Sequence, residues 1–317
     1  LKDLPINIIK EYIDWTPFFS TWQLSGKYPK IFENETVGEE ARKLFNDAQA
    51  LLAEIIDQKL LTAKAALGFF PANSFGDDII LHDFTEKNIE VSCEKHGAHR
   101  KVDYTIEPKD YLSDSSYWLH HLRQQGQKAS NLPNRCLSDF VAPIEGKTTD
   151  FIGAFAVTTG VGIEALLEKY EKQNDDYNSI MIKALADRLA EAFAEYLHKE
   201  VRINHWGYAA DEDLSNTDLI KETYKGIRPA PGYPACPDHL EKNTIWKLLQ
   251  VEENIGVTLT ESLAMWPAAS VSGYFFAHPD AQYFGLGKIT RDQLESFSER
   301  KQLPIEEAEK WLRPNLK

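Results

Sequence analysis

This chain of 317 residues has few cysteines, no long apolar runs and no excess of positive charge. Its three cysteines, Cys93, Cys136 and Cys236, lie far apart, which is typical of a reduced intracellular protein. No apolar stretch approaches the ~18 residues that a membrane-spanning helix needs. Asp and Glu number 49 against 35 Lys and Arg, a net charge of −14, which disfavours binding to nucleic acid. These absences predict a cytoplasmic protein with neither nucleic acid nor a membrane as a partner.

Familiar catalytic motifs are missing as well. The chain contains no GxSxG, HExxH or Walker sequence. The stretch Thr158-Thr-Gly-Val-Gly-Ile163 has a GxG but lacks the third glycine of the dinucleotide fingerprint, so we predict a turn there. Carboxylates are plentiful, yet the sequence pairs none of them as an acid and a base. We therefore assign no catalytic residue, and the motifs favour a binding protein over a self-sufficient catalyst.

One group of residues has the spacing of metal ligands. Cys93, His96 and His99 could approach a single ion, but no fourth ligand follows nearby, whereas structural zinc prefers four. They lie in the polar, irregular stretch Glu86–Ser116, which we interpret as a surface loop or insertion. We assign no metal site.

The hydrophobic periodicity predicts helices and strands that are partly segregated, which indicates an α+β fold rather than a doubly wound sheet. Two of the predicted helices are given by their starts, one at a Thr36–Glu39 capping box and one at Asp238. Three more are predicted over about Asp176 to Arg202, Asp292–Lys301 and Ile305–Leu312. The predicted strands are Ala65–Phe70, Ile79–His82, Phe140–Ala142, Phe151–Thr158, Thr258–Leu263, Ser270–Ala277 and Tyr283–Ile289. The last two are expected to form an antiparallel hairpin.

The segment Arg228-Pro-Ala-Pro-Gly-Tyr-Pro234 is the most informative stretch of the chain. Its three prolines fix φ and remove three amide donors, which excludes a helix interior or a central strand. Because a stiff loop presents its carbonyls and its guanidinium with little loss of entropy, it suits recognition of a small polar ligand. A proline-rich connector between domains is the alternative.

A second candidate is the block Asp14-Trp-Thr-Pro-Phe-Phe19, in which an acidic residue precedes three aromatic residues. A carboxylate beside aromatic rings suits a small cation through ion pairing and cation–π attraction. In the alternative interpretation, the aromatic residues belong to the core and Asp14 only caps a turn.

Together these blocks resemble the C-terminal activation domain of cobalamin-dependent methionine synthase, from about residue 7 to about residue 316. The Glu86–Ser116 region departs from the family pattern by being longer. The matching stretches are Asp14-Trp-Thr-Pro-Phe-Phe19, Gly26-Lys-Tyr-Pro-Lys-Ile31, Cys136-Leu-Ser-Asp-Phe-Val-Ala-Pro143, Asp175–His198, Gly226-Ile-Arg-Pro-Ala-Pro-Gly-Tyr-Pro-Ala-Cys-Pro-Asp-His239, Thr260-Glu-Ser-Leu-Ala-Met-Trp-Pro267 and Ser270-Val-Ser-Gly273.

The resemblance implies a fold and a function. The fold is a single elongated α+β domain, residues 1–317, with a bent antiparallel sheet and flanking helices. The domain binds S-adenosylmethionine and docks over the cobalamin-binding module of the same polypeptide. There, an oxidised cob(II)alamin receives one electron from flavodoxin or a flavoprotein reductase and a methyl group from S-adenosylmethionine. Since the sequence starts at Leu1 without a methionine, we interpret it as a fragment whose parent enzyme carries cobalamin and zinc in other domains.

By the same resemblance, the ligand contacts fall at particular residues. Asp14 would pair with the ligand ammonium and Arg228 with its carboxylate. Further expected contacts are Ala230, Tyr233, Tyr283 and Phe284, with the acidic residues Glu191 and Glu222 as weaker candidates near the sulfonium.

Two other functions remain open from the sequence. One is a docking platform for a flavodoxin-type partner, with ligand binding secondary. It would need a local basic patch such as Lys27, Lys30 and Lys64, because flavodoxin-like partners are usually acidic. The other is a methyltransferase that acts alone, which the missing motifs disfavour. We expect methyltransferase activity from the full-length enzyme and none from this fragment.

Overall fold

The computed structural model describes residues 3–82, 117–129 and 131–317. The predicted loop Glu86–Ser116, with Cys93, His96 and His99, lies outside these residues. The chain divides into two compact units. Unit 1 comprises Leu1–Gly68, Gly153–Tyr233 and Asp238–Tyr283, and unit 2 comprises Phe69–Ile152, Pro234–Pro237 and Phe284–Lys317. Within the described ranges, no helix is both long and apolar enough to cross a membrane.

Helices dominate unit 1. They are α1 (Ile6–Ile9), α2 (Thr16–Thr21), α3 (Gly38–Asp57), α4 (Ile163–Lys172), α5 (Asp176–Glu200), α6 (Asn216–Ile220), α7 (Glu241–Leu249) and α8 (Val251–Ile255). In unit 2, α9 (Arg291–Lys301) and α10 (Ile305–Leu312) confirm the two helices predicted near the end of the chain.

The strands are β1 (Thr62–Phe75), β2 (Asp78–Leu81), β3 (Tyr117–His120), β4 (Asp150–Val161), β5 (Thr258–Leu259), β6 (Met265–Trp266) and β7 (Ser270–Phe275). They form one five-stranded sheet in the order β3-β2-β1-β4-β7 and a two-stranded sheet of β5 and β6. Within the larger sheet, β1 pairs with β2, β2 with β3, and β4 with β7, all antiparallel. This antiparallel sheet with flanking helices confirms the α+β class.

The central element of unit 1 is α5, which packs against β7, α4 and the short helices near the start of the chain. The Asp175 side chain caps it by accepting a hydrogen bond from the amide of Asn178 (3.0 Å). Most of its residues are buried, and a π-helical turn, Val201–His205, extends it. The prediction of a helix from Asp176 to about Arg202 is therefore confirmed.

The core of unit 2 is a separate hydrophobic cluster. Its fully buried members include Phe297 of α9 and Leu312 of α10, which pack with Ile289. This cluster gives unit 2 an interior of its own, as expected for a compact body of this kind.

Three local predictions are wrong. Helix α3 begins at Gly38 rather than at a Thr36 cap, because the Asn34 side chain accepts the amides of Thr36 (2.9 Å) and Val37 (3.1 Å). Phe140, the first residue of the predicted strand Phe140–Ala142, belongs to a 3₁₀ turn, Leu137–Phe140, and positions 141 and 142 form no strand.

The predicted hairpin between Ser270–Ala277 and Tyr283–Ile289 is also wrong. Residue Phe276, just past β7, exchanges two backbone hydrogen bonds with Ile227 (3.0 and 3.1 Å). The partner of this edge is therefore the chain that leads into the proline-rich loop, and residues 283–288 form no strand.

Candidate functional site

One face of α5, which is mostly charged, lines a small cavity in unit 1. Arg188, Glu191, Ala192 and Glu195 recur at helical spacing, which places them on one face of the helix. The cavity has a volume of about 180 Å³. Its other lining residues are Tyr12, Asp14, Leu219, Ile220, Glu222 and Arg228.

Asp14 caps a turn and also lines the cavity. Its Oδ1 accepts a hydrogen bond from the amide of Thr16 (2.9 Å) at the start of α2, which is a local cap. The aromatic residues that follow belong to the core, since Phe18 and Phe19 are fully buried. Asp14 itself is half-buried and also lines the cavity, so the cap leaves the carboxylate beside the space where a ligand would lie.

Arg228 is held by the side chains around it. Its Nη2 lies 2.8 Å from Oε2 of Glu195, and its Nη1 donates to the Tyr224 hydroxyl at 2.7 Å. The same Nη1 lies 3.3 Å from Nδ1 of the fully buried His198. The guanidinium is therefore oriented by the protein at the wall of the cavity.

Backbone contacts fix the proline-rich loop against β7. The Pro229 carbonyl accepts a hydrogen bond from the Tyr274 amide (3.0 Å). Gly273 permits this approach, because a Cβ there would lie 2.7 Å from the Pro229 oxygen. The amide of Arg228 donates to the hydroxyl of Tyr283 (3.0 Å). The loop thus begins at an isolated β-bridge between Ile227 and Phe276, next to the edge of β7, and this contact positions Arg228.

The electrostatics of the cavity favour a ligand with a positive charge. Four carboxylates, those of Asp14, Glu191, Glu195 and Glu222, line it against the guanidiniums of Arg188 and Arg228. Burial raises the pKa of Glu191 and of Glu195, although the neighbouring arginines oppose the shift.

Glu195 is incompletely satisfied in this environment. Its Oε1 is buried and has no hydrogen-bond partner among the described residues. Burial would lower the pKa of Arg228, but the Glu195 carboxylate and the nearby phenols raise it, so the guanidinium stays charged. An acidic wall next to one oriented guanidinium matches a group that carries an ammonium and a carboxylate together.

The structure brings four of the eight predicted contacts to this cavity: Asp14, Glu191, Glu222 and Arg228. Two more lie on the same loop, where the Ala230 carbonyl accepts from the Tyr233 amide (3.2 Å) and the Tyr233 side chain is 59% exposed. Tyr283 reaches the site through its contact with the Arg228 amide.

Phe284 differs from the other predicted contacts in its surroundings. It belongs to unit 2, where its ring packs against Phe140 with the ring centroids 6.4 Å apart. Its role as a ligand contact stays a prediction.

The sequence reasoning missed Glu195, Tyr224 and His198. A signal for two of them was available: Glu195 and His198 continue the spacing of Arg188 and Glu191 along α5. Polar residues that recur on a helix otherwise rich in alanine and leucine indicate a functional face. Tyr224, four residues before Arg228, had no comparable signal because it lies outside any helix or strand.

No group of His, Cys, Asp and Glu within the described ranges is placed to hold a metal ion. A stiff arginine loop and a small acidic cavity, both carried by an α+β scaffold, define a small-molecule-binding module. The family model for the activation domain of vitamin B12 dependent methionine synthase matches residues 5–302. The chain belongs to this family, which places it in the context of a methyltransferase.

A solved structure is similar over nearly the whole chain. It is the crystal structure of the MetH reactivation domain bound to AdoHcy, with 51% sequence identity and a TM-score of 0.86. The match covers 99% of this chain and 89% of the other. The suspected family is thus confirmed by both sequence and fold.

Proposed function

We propose that residues 1–317 form one functional module that binds S-adenosylmethionine and supports the reductive methylation that reactivates methionine synthase. The observation that carries this proposal is the meeting of Asp14 and Arg228 at one cavity, although they are 214 positions apart in the sequence. The similar MetH reactivation domain, bound to AdoHcy, supports it independently.

The size of the cavity indicates which part of the ligand it receives. Pockets that enclose a whole drug-sized ligand measure about 300–1,000 Å³, whereas this cavity measures about 180 Å³. It suits the amino-acid end of S-adenosylmethionine, with the ammonium toward Asp14 and the carboxylate toward Arg228. The adenine would then extend along the loop, where Ala230 supplies backbone groups and Tyr233 an exposed ring.

The residues of this chain bind and orient, and they perform no chemistry of their own. S-adenosylmethionine supplies a methyl group on a positively charged sulfur, and transfer of that group leaves S-adenosylhomocysteine (AdoHcy). Glu191 and Glu222, on the acidic wall, would stabilise the sulfonium before transfer. Because that charge disappears with the methyl group, their attraction for the product is weaker.

The partners of the reaction are part of the proposal. The cobalamin-binding module of the same polypeptide would face the bound ligand, and a flavodoxin-type flavoprotein would supply the electron. Lys27 and Lys30 are exposed and Lys64 is half-buried. If these lysines guide docking of the redox partner, the association should weaken steeply with ionic strength, and Lys27→Glu together with Lys30→Glu should abolish most of that dependence.

Calorimetric titration tests the central claim. The isolated chain should bind both S-adenosylmethionine and AdoHcy at one site, and should transfer no methyl group to homocysteine without an added cobalamin module. Absence of binding to either ligand contradicts the proposal. Methyl transfer to homocysteine by the chain alone contradicts its restriction to a binding role.

A further inference from the structure

The guanidinium of Arg228 is occupied on two sides by protein groups. Nη2 is paired with Oε2 of Glu195 at 2.8 Å, and the side chains are only 17% and 10% exposed. Nη1 donates to Tyr224 and lies beside His198. Nε takes part in no hydrogen bond that the structure shows among the described residues. One edge of the fork is therefore left for a ligand at the cavity.

The groups that hold Arg228 on its Nη1 side are themselves fixed. The ring of Tyr224 lies 4.2 Å from Cζ of Arg202, whose Nε and Nη2 donate to the Glu212 carboxylate at 2.8 Å each. These contacts leave the Tyr224 hydroxyl little freedom to follow a moving arginine.

His198 is fixed in the same way. Its ring stacks on that of Phe275, with the centroids 5.1 Å apart. Because arginine can only donate, Nδ1 of His198 must accept, which leaves the proton on Nε2, 3.3 Å from the Tyr208 hydroxyl. The histidine thus presents a neutral acceptor in a fixed direction.

The position of Glu195 has two opposite consequences for a ligand carboxylate. Its negative charge competes with the ligand for Arg228, which weakens binding. Its hydrogen bond to Nη2 restricts a long side chain to one rotamer, which strengthens binding because less freedom remains to be lost. Orientation can be retained without the charge if the hydrogen-bond acceptor is kept, and this separates the two effects.

We infer that Glu195 is a positioning residue, which fixes Arg228 so that its remaining edge meets the α-carboxylate of an amino-acid ligand. This inference rests on the proposed function, since it concerns the same ligand. Glu195 also lines the cavity, but its Oε2 lies 2.8 Å from Nη2 of Arg228, so its effect on the ligand carboxylate is exerted through that arginine.

The experiment compares two substitutions at Glu195 and two nucleoside ligands. AdoHcy has the amino-acid end, and 5′-methylthioadenosine lacks it. Glu195→Ala removes the hydrogen bond and should weaken AdoHcy binding about tenfold, with no change for methylthioadenosine. Glu195→Gln keeps an oxygen that can accept from Nη2 and removes the competing charge, so it should bind AdoHcy at least as tightly as the wild type.

Two further variants make the result specific. Tyr224→Phe removes only the hydroxyl that holds Nη1, and should weaken AdoHcy binding several-fold without affecting methylthioadenosine. Glu200→Ala is the matched control: this glutamate is on the same helix, accepts a hydrogen bond from the Asn204 side chain (2.9 Å) and is not among the residues that line the cavity. It should leave both affinities unchanged, and thermal melting shows whether each variant is folded.

Each remaining outcome overturns the inference. Unchanged AdoHcy binding in Glu195→Ala shows that Arg228 needs no positioning. Equal losses for both nucleosides show that Glu195 supports the fold and not recognition. A loss in Glu195→Gln as large as in Glu195→Ala shows that its charge matters and not its hydrogen bond. A wild-type chain that binds no AdoHcy would overturn the proposed function, and this inference with it.

Discussion

Each unit contains a partly buried arginine paired with acidic residues, and the two arginines, Arg123 and Arg228, differ in how many of their nitrogens have protein partners. In unit 2, Arg123 donates from Nε to Asp77 (2.8 Å) and from both terminal nitrogens to Asp139 (2.7 Å each), with a further bond to the Asn134 carbonyl. In unit 1, the Arg228 side chain contacts its partners among residues 3–82, 117–129 and 131–317 through its two terminal nitrogens alone. All three nitrogens of Arg123 have partners, whereas Arg228 retains one edge beside a cavity.

The carboxylates around the two arginines differ in the same way. Burial acts to raise the pKa of Asp139, but the hydrogen bonds from Arg123 and from the Cys136 amide lower it below its usual value. At the cavity, burial prevails and raises the pKa of Glu191 and Glu195. A carboxylate with too few donors is a site for a cation, while one with enough donors stabilises the fold. The structural network around Arg123 thus differs from the candidate site in how completely the carboxylates are hydrogen-bonded.

Replacing Arg123 with alanine should have the largest effect of the changes we consider. The variant leaves Asp77 and Asp139 without their cation, so the free energy of unfolding should fall by about 3 kcal/mol. We take the lower end of the usual range because the Arg123 side chain is 31% exposed. Urea denaturation measures the loss. AdoHcy affinity, measured at a temperature where the variant is folded, should be unchanged, and a selective loss of affinity would contradict the contrast between the two arginines.

Asp14→Asn should show the opposite behaviour. Asparagine can still accept the Thr16 amide, so the cap at α2 is retained and the melting temperature should stay within a degree or two of the wild type. The lost charge should weaken S-adenosylmethionine binding by about 1.5–3 kcal/mol. Titration calorimetry gives the affinity. Normal affinity in a destabilised variant would show that Asp14 is only a cap.

Acid should destabilise the chain through the buried His121 of unit 2. Burial lowers the pKa of this histidine from about 6.5 to about 3, with Lys301, His120 and Arg300 acting in the same direction and Asp78 against it. Below pH 6.5 the unfolded chain binds a proton that the folded chain does not. The contribution of His121 to the free energy of unfolding is therefore complete above pH 6.5 and is lost as the pH decreases, by about 2 kcal/mol at pH 5. In His121→Asn, urea denaturation across this range should show a correspondingly shallower pH dependence.

The smallest effect is expected from lysine in place of each arginine. Arg228→Lys should reduce AdoHcy affinity about tenfold, or about 1.4 kcal/mol, because a point charge cannot form two parallel bonds to a carboxylate. The matched variant Arg123→Lys should lower stability and leave affinity unchanged. Binding of 5′-methylthioadenosine should not distinguish Arg228→Lys from the wild type. If it falls equally, Arg228 shapes the loop and does not read the carboxylate.

Much of the fold could be predicted from the sequence where the signal is local and long. Helix α5 has a side-chain cap at Asp175 and 25 residues without proline or glycine, so its bounds were nearly right. The prediction of a hairpin after β7 was wrong because the apolar residues there are typical of a strand. The segment that pairs with Phe276 instead contains Ile227, about 50 positions earlier in the sequence. A local sequence pattern cannot show which distant segment pairs with the edge strand of a sheet.

The site shows the same limit. Asp14 and Arg228 could be selected as candidates from the sequence because their motifs are distinctive and resemble a family, and both line the cavity. Glu195 could not be selected in this way, because a glutamate on a helix is usually a solvated charge, and its burial depends on Arg228 from another part of the chain. Tyr224 and His198 likewise gain their roles only from the contacts that folding creates.

The proline-rich loop also bears on the solubility of the protein. The last strand of a sheet has unpaired amides and carbonyls that invite another chain to add on. Beside β7, that position is taken by residues Ile227 and Pro229. The positions that follow include Pro231 and Pro234, which have no amide hydrogen to offer a further strand. The segment that we propose to bind the ligand therefore also covers this edge of the sheet, so we expect substitutions that remove its prolines to promote aggregation as well as to weaken binding.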